Sequence, residues 1–232
     1  MTEEQKKLYM VYLASVKGEI DEEIKEKGFN KSKIKILVAL TRLRQICCEP
    51  AVFMENFQGE SGKMLALDDL LEESISEGHR ILLFSQFTSV LKNIIPRLEK
   101  NNIEYMYLDG STKSELRGPM VKEFNEGKGN VFLISLKAGG TGLNLTGADV
   151  VIHFDPWWNP AVEDQASDRA HRIGQKKTVE VIKLIARGTI EEKIFELQEK
   201  KKQIIKSVLD ENTEESLITK LSEEELKELF EA

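Results

Sequence analysis

The spacing of apolar residues changes once along this chain. In residues 3–27 the positions Leu8, Tyr12, Val16 and Ile20 recur every four residues among many Glu and Lys, which predicts an amphipathic helix. A second helical pattern covers about 31–47, with Ile34, Leu37, Val38, Leu40 and Leu43 apolar. Gly28-Phe29-Asn30 separates the two, and Pro50 stops the second. ENFQGESG at 55–62 reads as a loop or linker. Beyond it, short apolar runs alternate with amphipathic stretches. The expected strands are Ile81–Phe84, Tyr105–Leu108, Val131–Ser135, Val150–Phe154 and Val179–Ile185, with helical patterns at about 63–77, 88–101, 112–127 and 159–171. This alternation predicts an α/β fold: a parallel sheet with helices on both faces, flanked by helices at each end of the chain. VFLIS and VVIHF are near-continuously apolar, as strands covered on both sides are.

Several helix boundaries are signed by local chemistry. Asn159-Pro160 offers an N-cap followed by proline at the first helical position. Thr189-Ile190-Glu191-Glu192 predicts a capping box opening a helix through about Leu209, and Ser222 to Glu225 a second box opening a short acidic helix. Leu226, Leu229 and Phe230 share one face of that last helix, but it reads as a solvated terminal helix. Gly118-Pro119 interrupts the pattern at 112–127, so the helix there is expected to start at Pro119. The resulting division is a helical region at 1–54, an α/β body at 55–207 and an acidic tail at 208–232.

Composition narrows the class without assigning a function. The 232 residues are 41% apolar and 31% charged, ordinary for a globular domain. Cys47 and Cys48 are adjacent, which excludes a disulfide framework. No apolar run approaches the roughly 20 residues that span a bilayer, and the start MTEEQKKLYM lacks a signal core. Net charge is −7, but nine of the 40 acidic and two of the 33 basic residues lie in 208–232, leaving 31 of each sign before it. A neutral body permits a local phosphate-binding face.

In open parallel sheets, ligands bind beyond the carboxyl ends of strands. The loop after the third expected strand reads SLKAGGTGLN at 135–144. Its glycines let backbone approach a ligand, and N–H groups at a helix start suit phosphate. A tight strand-to-helix turn needs the same residues, and spacing alone leaves both readings open. Gly140-Thr-Gly142 is no dinucleotide fingerprint, because Leu145 stands where the third glycine belongs. Gly62-Lys63 is no phosphate loop, because Phe57 and Met64 break its pattern. His79, His153 and His171 lack metal-ligand spacing, so no metal site is expected. The next loop, DPWWNP at 155–160, holds both tryptophans, and two adjacent Trp are not expected both to face inward. In QASDRAHRIGQ at 165–175, Gln165, Arg169 and Arg172 are expected on one helix face, where paired arginines suit phosphate or ordinary ion pairs.

Taken together, these strings resemble the second ATPase lobe of Swi/Snf-type DNA translocases, in helicase superfamily two. The resemblance runs from near residue 35 to about 205 through LTRLRQICCEP, ILLFSQF, LDGSTK, SLKAGGTGLNL, DPWWNP and QASDRAHRIGQ. It implies a RecA-like parallel sheet with an N-terminal helical protrusion and C-terminal helices. It also implies that Arg169 and Arg172 are arginine fingers reaching a triphosphate held by another lobe. Gln165 would orient their helix or touch the nucleotide, and Gly140, Thr141 and Gly142 would couple nucleotide state to DNA. Ser111, Thr112, Ser135 and Lys137 would contact phosphates of double-stranded DNA, with Trp158 bracing that track. ATP and Mg would be held mainly by a first lobe this chain lacks, so the chain alone is expected to be inactive as an ATPase. A monomer with no membrane association is expected, in the cytoplasm or nucleoid of a prokaryote or the nucleus of a eukaryote. Two other readings are a non-catalytic RecA-like module docking DNA or protein, and a self-contained enzyme binding a sugar nucleotide or dinucleotide. The arginine pair argues against the first. The missing third glycine and the lack of a base or nucleophile argue against the second.

Overall fold

The computed structural model describes residues 1–139, 142–172, 174–175, 177–205 and 222–230. The chain divides into two compact units, Met64–Leu184 and Met1–Lys63 with Ile185–Ala232. The first of these is built on a five-stranded parallel sheet in the order β2-β3-β1-β4-β5. Its strands are β1 (Ile81–Ser85), β2 (Tyr105–Leu108), β3 (Val131–Ser135), β4 (Val150–His153) and β5 (Glu180–Lys183). The last two are shorter than their apolar runs. Ile81 lies in register with both Val131 and Val150. Every residue of the three inner strands is buried, as a sheet covered on both faces requires.

Helices do the covering. Thr88–Lys100 packs on β1 and β3, burying Val90, Leu91, Ile94 and Leu98. Leu82, Phe84, Phe132, Ile134 and Val151 join one apolar cluster with Phe124 and Ala166. Phe124 belongs to the helix Ser114–Asn125, which runs straight through Gly118-Pro119 instead of starting at Pro119. Pro119 sits in the second turn and withholds one N–H from the Glu115 carbonyl. Packing of Met120, Val121 and Phe124 on the cluster offsets that loss.

The other unit is helical. Glu3–Lys27 and Phe29–Cys48 form two helices packed together and joined at Gly28, whose φ of +80° favours glycine. The first buries Tyr9, Leu13, Val16 and Ile20, so its stripe is offset from the one expected through Leu8 and Tyr12. In the second, Ile36, Ala39, Leu40 and Leu43 go inward while Ile34 and Val38 stay 77% and 54% exposed. Gln5 is fully buried because its carboxamide donates to the Ile46 and Cys47 carbonyls and accepts from the Gly62 N–H. The helix Ile190–Ile205 is tied in by the Tyr9 hydroxyl, which accepts the Ile190 N–H at 2.8 Å. Burial pushes the Tyr9 phenol well above its ordinary pKa.

Two expectations are revised here. The final helix, Glu223–Leu229, has the predicted Ser222 box but is not solvated. Leu226, Leu229 and Phe230 are buried, and Leu226 and Phe230 share an apolar pocket with Ile20, Ile24, Phe29 and Ile36. Three apolar groups on one face outweigh the fraying of a short terminal helix. The box at Thr189 is displaced by one residue: the hydroxyl accepts the Glu191 N–H, and Glu192 reaches back to Gly188. Glu191 is thereby free to turn inward, where it holds the ammonium of Lys63 at 2.6 Å.

Candidate functional site

The loops flagged in the sequence lie at the carboxyl ends of β2, β3 and β4. After β2, Asp109 organises the turn. Its carboxylate accepts the Tyr107 hydroxyl at 2.8 Å, the Ser111 N–H at 2.8 Å and the Ser111 hydroxyl at 2.6 Å. The Ser111 hydrogen bond chiefly holds this carboxyl below its usual range. Both donors of Ser111 are thus committed to Asp109. Thr112 differs: its Oγ1 accepts the Asp109 N–H, which leaves its own hydroxyl hydrogen outside that bond. Of this pair, Thr112 is the better phosphate donor.

After β3 the residues diverge. Ser135 is only 3% exposed, and its Oγ accepts the Ala138 N–H at the start of a helical turn, Leu136–Gly139. Its Oγ caps that turn from a buried position. Lys137 is exposed. Gly140 and Thr141 lie outside the described residues. Gly142 has a φ of +59°, in the left-handed region. After β4, Trp157 and Trp158 are both buried, at 4% and 8% exposure. The inference that one must face out fails because the loop bends, so strand alternation does not apply. The bend is fixed by Glu163, which accepts the Trp157 N–H and pairs with Lys183. Asp155 accepts the Ser85 hydroxyl and the Gln86 N–H.

The arginine-bearing segment departs most from expectation. The helix opened by Asn159, whose side chain accepts the Ala161 N–H, ends at Ser167. Arg169 and Arg172 therefore do not share a helix face with Gln165, which stays exposed on the helix. The chain tightens instead, with Arg169 N–H on Ala166 and Ala170 N–H on Ser167. The Arg169 carbonyl is then taken by the Leu145 N–H at 2.9 Å, so the segment lies beside the chain just after Gly142. Arg169 is 1% exposed, and its Nε and Nη1 have no hydrogen-bond partner among the described residues. Burial lowers its pKa, and the charge of Arg172 nearby lowers it further. Leaving two nitrogens of a buried guanidinium without a partner is costly. Arg172 is exposed beside it.

Two clusters that the sequence did not reveal lie at the amino ends of the strands. Arg80 donates to the Lys128, Gly129 and Gly147 carbonyls and covers the Phe124 ring at 4.0 Å. Asp149 accepts from Lys177 at 2.6 Å, the Arg80 N–H at 2.9 Å and His79 at 2.9 Å. Burial opposes its charge, but those hydrogen bonds and the Lys177 charge win and hold its carboxyl at about 2. Their partners are scattered in sequence, and no short motif reports them. No three His, Cys, Asp or Glu side chains gather as a metal site among the described residues. Nor is any described helix long and apolar enough to cross a membrane.

Known proteins carry the same pattern. The helicase conserved C-terminal domain family matches residues 62–174. An uncharacterized ATP-dependent helicase of Mycoplasma pneumoniae is 43% identical over 90% of this chain and 20% of its own length. The chain spans about a fifth of the length of the curated relatives it matches. The Sulfolobus solfataricus SWI2/SNF2 ATPase C-terminal domain superposes with a TM-score of 0.77 at 35% identity, covering 99% of this chain and 93% of that one. The same organism's SWI2/SNF2 ATPase core in complex with dsDNA gives 0.79 at 37% identity, covering 99% of this chain and 48% of that one.

Proposed function

This chain belongs to the family of SWI2/SNF2 ATPase C-terminal lobes, and on that footing we propose that it is the second motor lobe of an ATP-dependent double-stranded DNA translocase. Arg169 carries the reading. Its guanidinium is desolvated, has two nitrogens without a hydrogen-bond partner among the described residues, and lies beside a second arginine. Phosphoryl transfer spreads negative charge over equatorial oxygens, and guanidinium groups placed against them supply stabilisation. Arg169 would meet the phosphates from a fixed, water-poor position, and the exposed Arg172 would close on them as the lobes meet. Gln165, Gly142, Gly140 and Thr141 would border the nucleotide, with Mg and most of the triphosphate held by the first lobe.

The chain's own residues fit that division of labour. Lys63, the lysine of the Gly62-Lys63 pair that failed the phosphate-loop pattern, is buried against Glu191. The isolated chain would then hydrolyse essentially no ATP. On the DNA side, Thr112 and Lys137 offer a hydroxyl and an ammonium to the phosphate backbone, contacts that carry no sequence information. Ser111 would act through its loop and Ser135 through its cap. Trp158, being buried, would brace the track from beneath. The lobe would work as a monomer with its first lobe.

The test is DNA-stimulated ATP hydrolysis by the two-lobe protein, with this chain intact or carrying Arg172→Ala. A loss of about 10³-fold or more with ATP and DNA still bound is expected. Unchanged turnover would instead favour a RecA-like module that only docks DNA or protein.

A further inference from the structure

Arg169 has no side-chain hydrogen bond from Nε or Nη1, and its helix has already ended. Its placement must come from whatever holds the backbone around it. One tether is the Leu145 N–H on the Arg169 carbonyl. The other is Gln175. Its Nε2 lies 2.6 Å from the Ala148 carbonyl, 3.2 Å from that of Thr146 and 3.4 Å from that of Ala170. Its Oε1 accepts the Lys177 N–H at 2.9 Å, and its own N–H donates to Arg172 at 2.9 Å. Gly174, at φ +111°, lets the chain turn so that the side chain folds back across these strands of backbone.

We propose that Gln175 is a positioning residue, whose carboxamide fixes the segment bearing Arg169 and Arg172 to the chain that follows the glycine-rich loop. This rests on the reading of the two arginines given above. The chemistry is selective. A carboxamide offers two donors and an acceptor on one planar group, and here the donors face three carbonyls while the oxygen takes an N–H. A glutamate would set a negative oxygen against those carbonyls. A lysine could not accept from Lys177, and a leucine would leave every one of these groups without its present partner.

The test uses the two-lobe protein with Gln175→Leu, Gln175→Glu or Arg172→Ala, measuring kcat with and without DNA, KM for ATP and DNA affinity. The melting of each variant of this chain is followed alongside. Misplacing a reacting group by about 1 Å costs on the order of 100-fold. Both Gln175 variants should therefore lose about 10- to 100-fold in DNA-stimulated kcat, with KM and DNA affinity unchanged and the protein still folded. Parent-like kcat in either variant, or a loss that only tracks the unfolded fraction, overturns the proposal. Full turnover by Arg172→Ala would overturn the underlying reading and this one with it. A loss in Arg172→Ala without one in the Gln175 variants would overturn the Gln175 assignment alone.

Discussion

Arg169 sets stability against function. A buried guanidinium with unbonded nitrogens destabilises the resting lobe, and Arg172 adds like charge beside it. Arg169→Met keeps the bulk and removes the charge. It should raise the melting temperature of this chain while abolishing DNA-stimulated turnover of the two-lobe protein, and a lower melting temperature would show that the charge is satisfied at rest. Asp149 makes the opposite contribution. Its pKa is depressed from 3.8 to about 2, so its stabilisation is present above the unfolded value and is lost as pH falls through the folded one. The shift corresponds to about 2 kcal/mol. Asp149→Asn should cost about that much at pH 7 in urea melts, with the gap from the parent closing between about pH 4 and pH 2. The arginine pair was visible in sequence because it lies within one string. The ligands of Asp149 and Arg80 were not, because they come from separate loops.

Among the elements, those with strong periodicity or a cap were legible. The strand positions, the Asn159 cap and the Ser222 box follow from local chemistry that neighbours do not override. The errors fall where tertiary bonds compete with local ones. The helix after Asn159 stops early: the chain tightens at Arg169 and Ala170, and the Arg169 carbonyl goes to Leu145. The helix at Ser114 continues through Pro119 because its apolar face is already anchored. At Thr189, a residue meant for the helix start, Glu191, is drawn inward by Lys63. Removing one partner of such a buried pair costs about 3–5 kcal/mol, whereas replacing both by apolar groups is often neutral. Lys63→Met alone should therefore destabilise by that amount, and Lys63→Met with Glu191→Leu should recover most of it, as read by thermal and urea unfolding.

For the whole molecule, the return of Ile185–Ala232 to the N-terminal helices joins the two ends of the chain in one unit. Phe230 is 4% exposed, near the end of the sequence. Phe230→Ala should destabilise the helical unit by about 3 kcal/mol, seen as earlier loss of helical circular dichroism. An unchanged melt would return the last helix to the solvated role the sequence suggested. By itself, the sequence determined the α/β class, the strand runs, most helix starts and the strings that place the chain in its family. Those features rest on periodicity and on caps spanning a few residues, and they persist whatever packs around them. Tertiary structure alone decided that both tryptophans turn inward, that Ser135 is buried where it caps its turn while Thr112 stays half-buried, and that Gln175 crosses to Thr146 and Ala148. These depend on which backbone groups meet across distant segments, and a hydrogen bond between residues about thirty apart leaves no mark on local spacing.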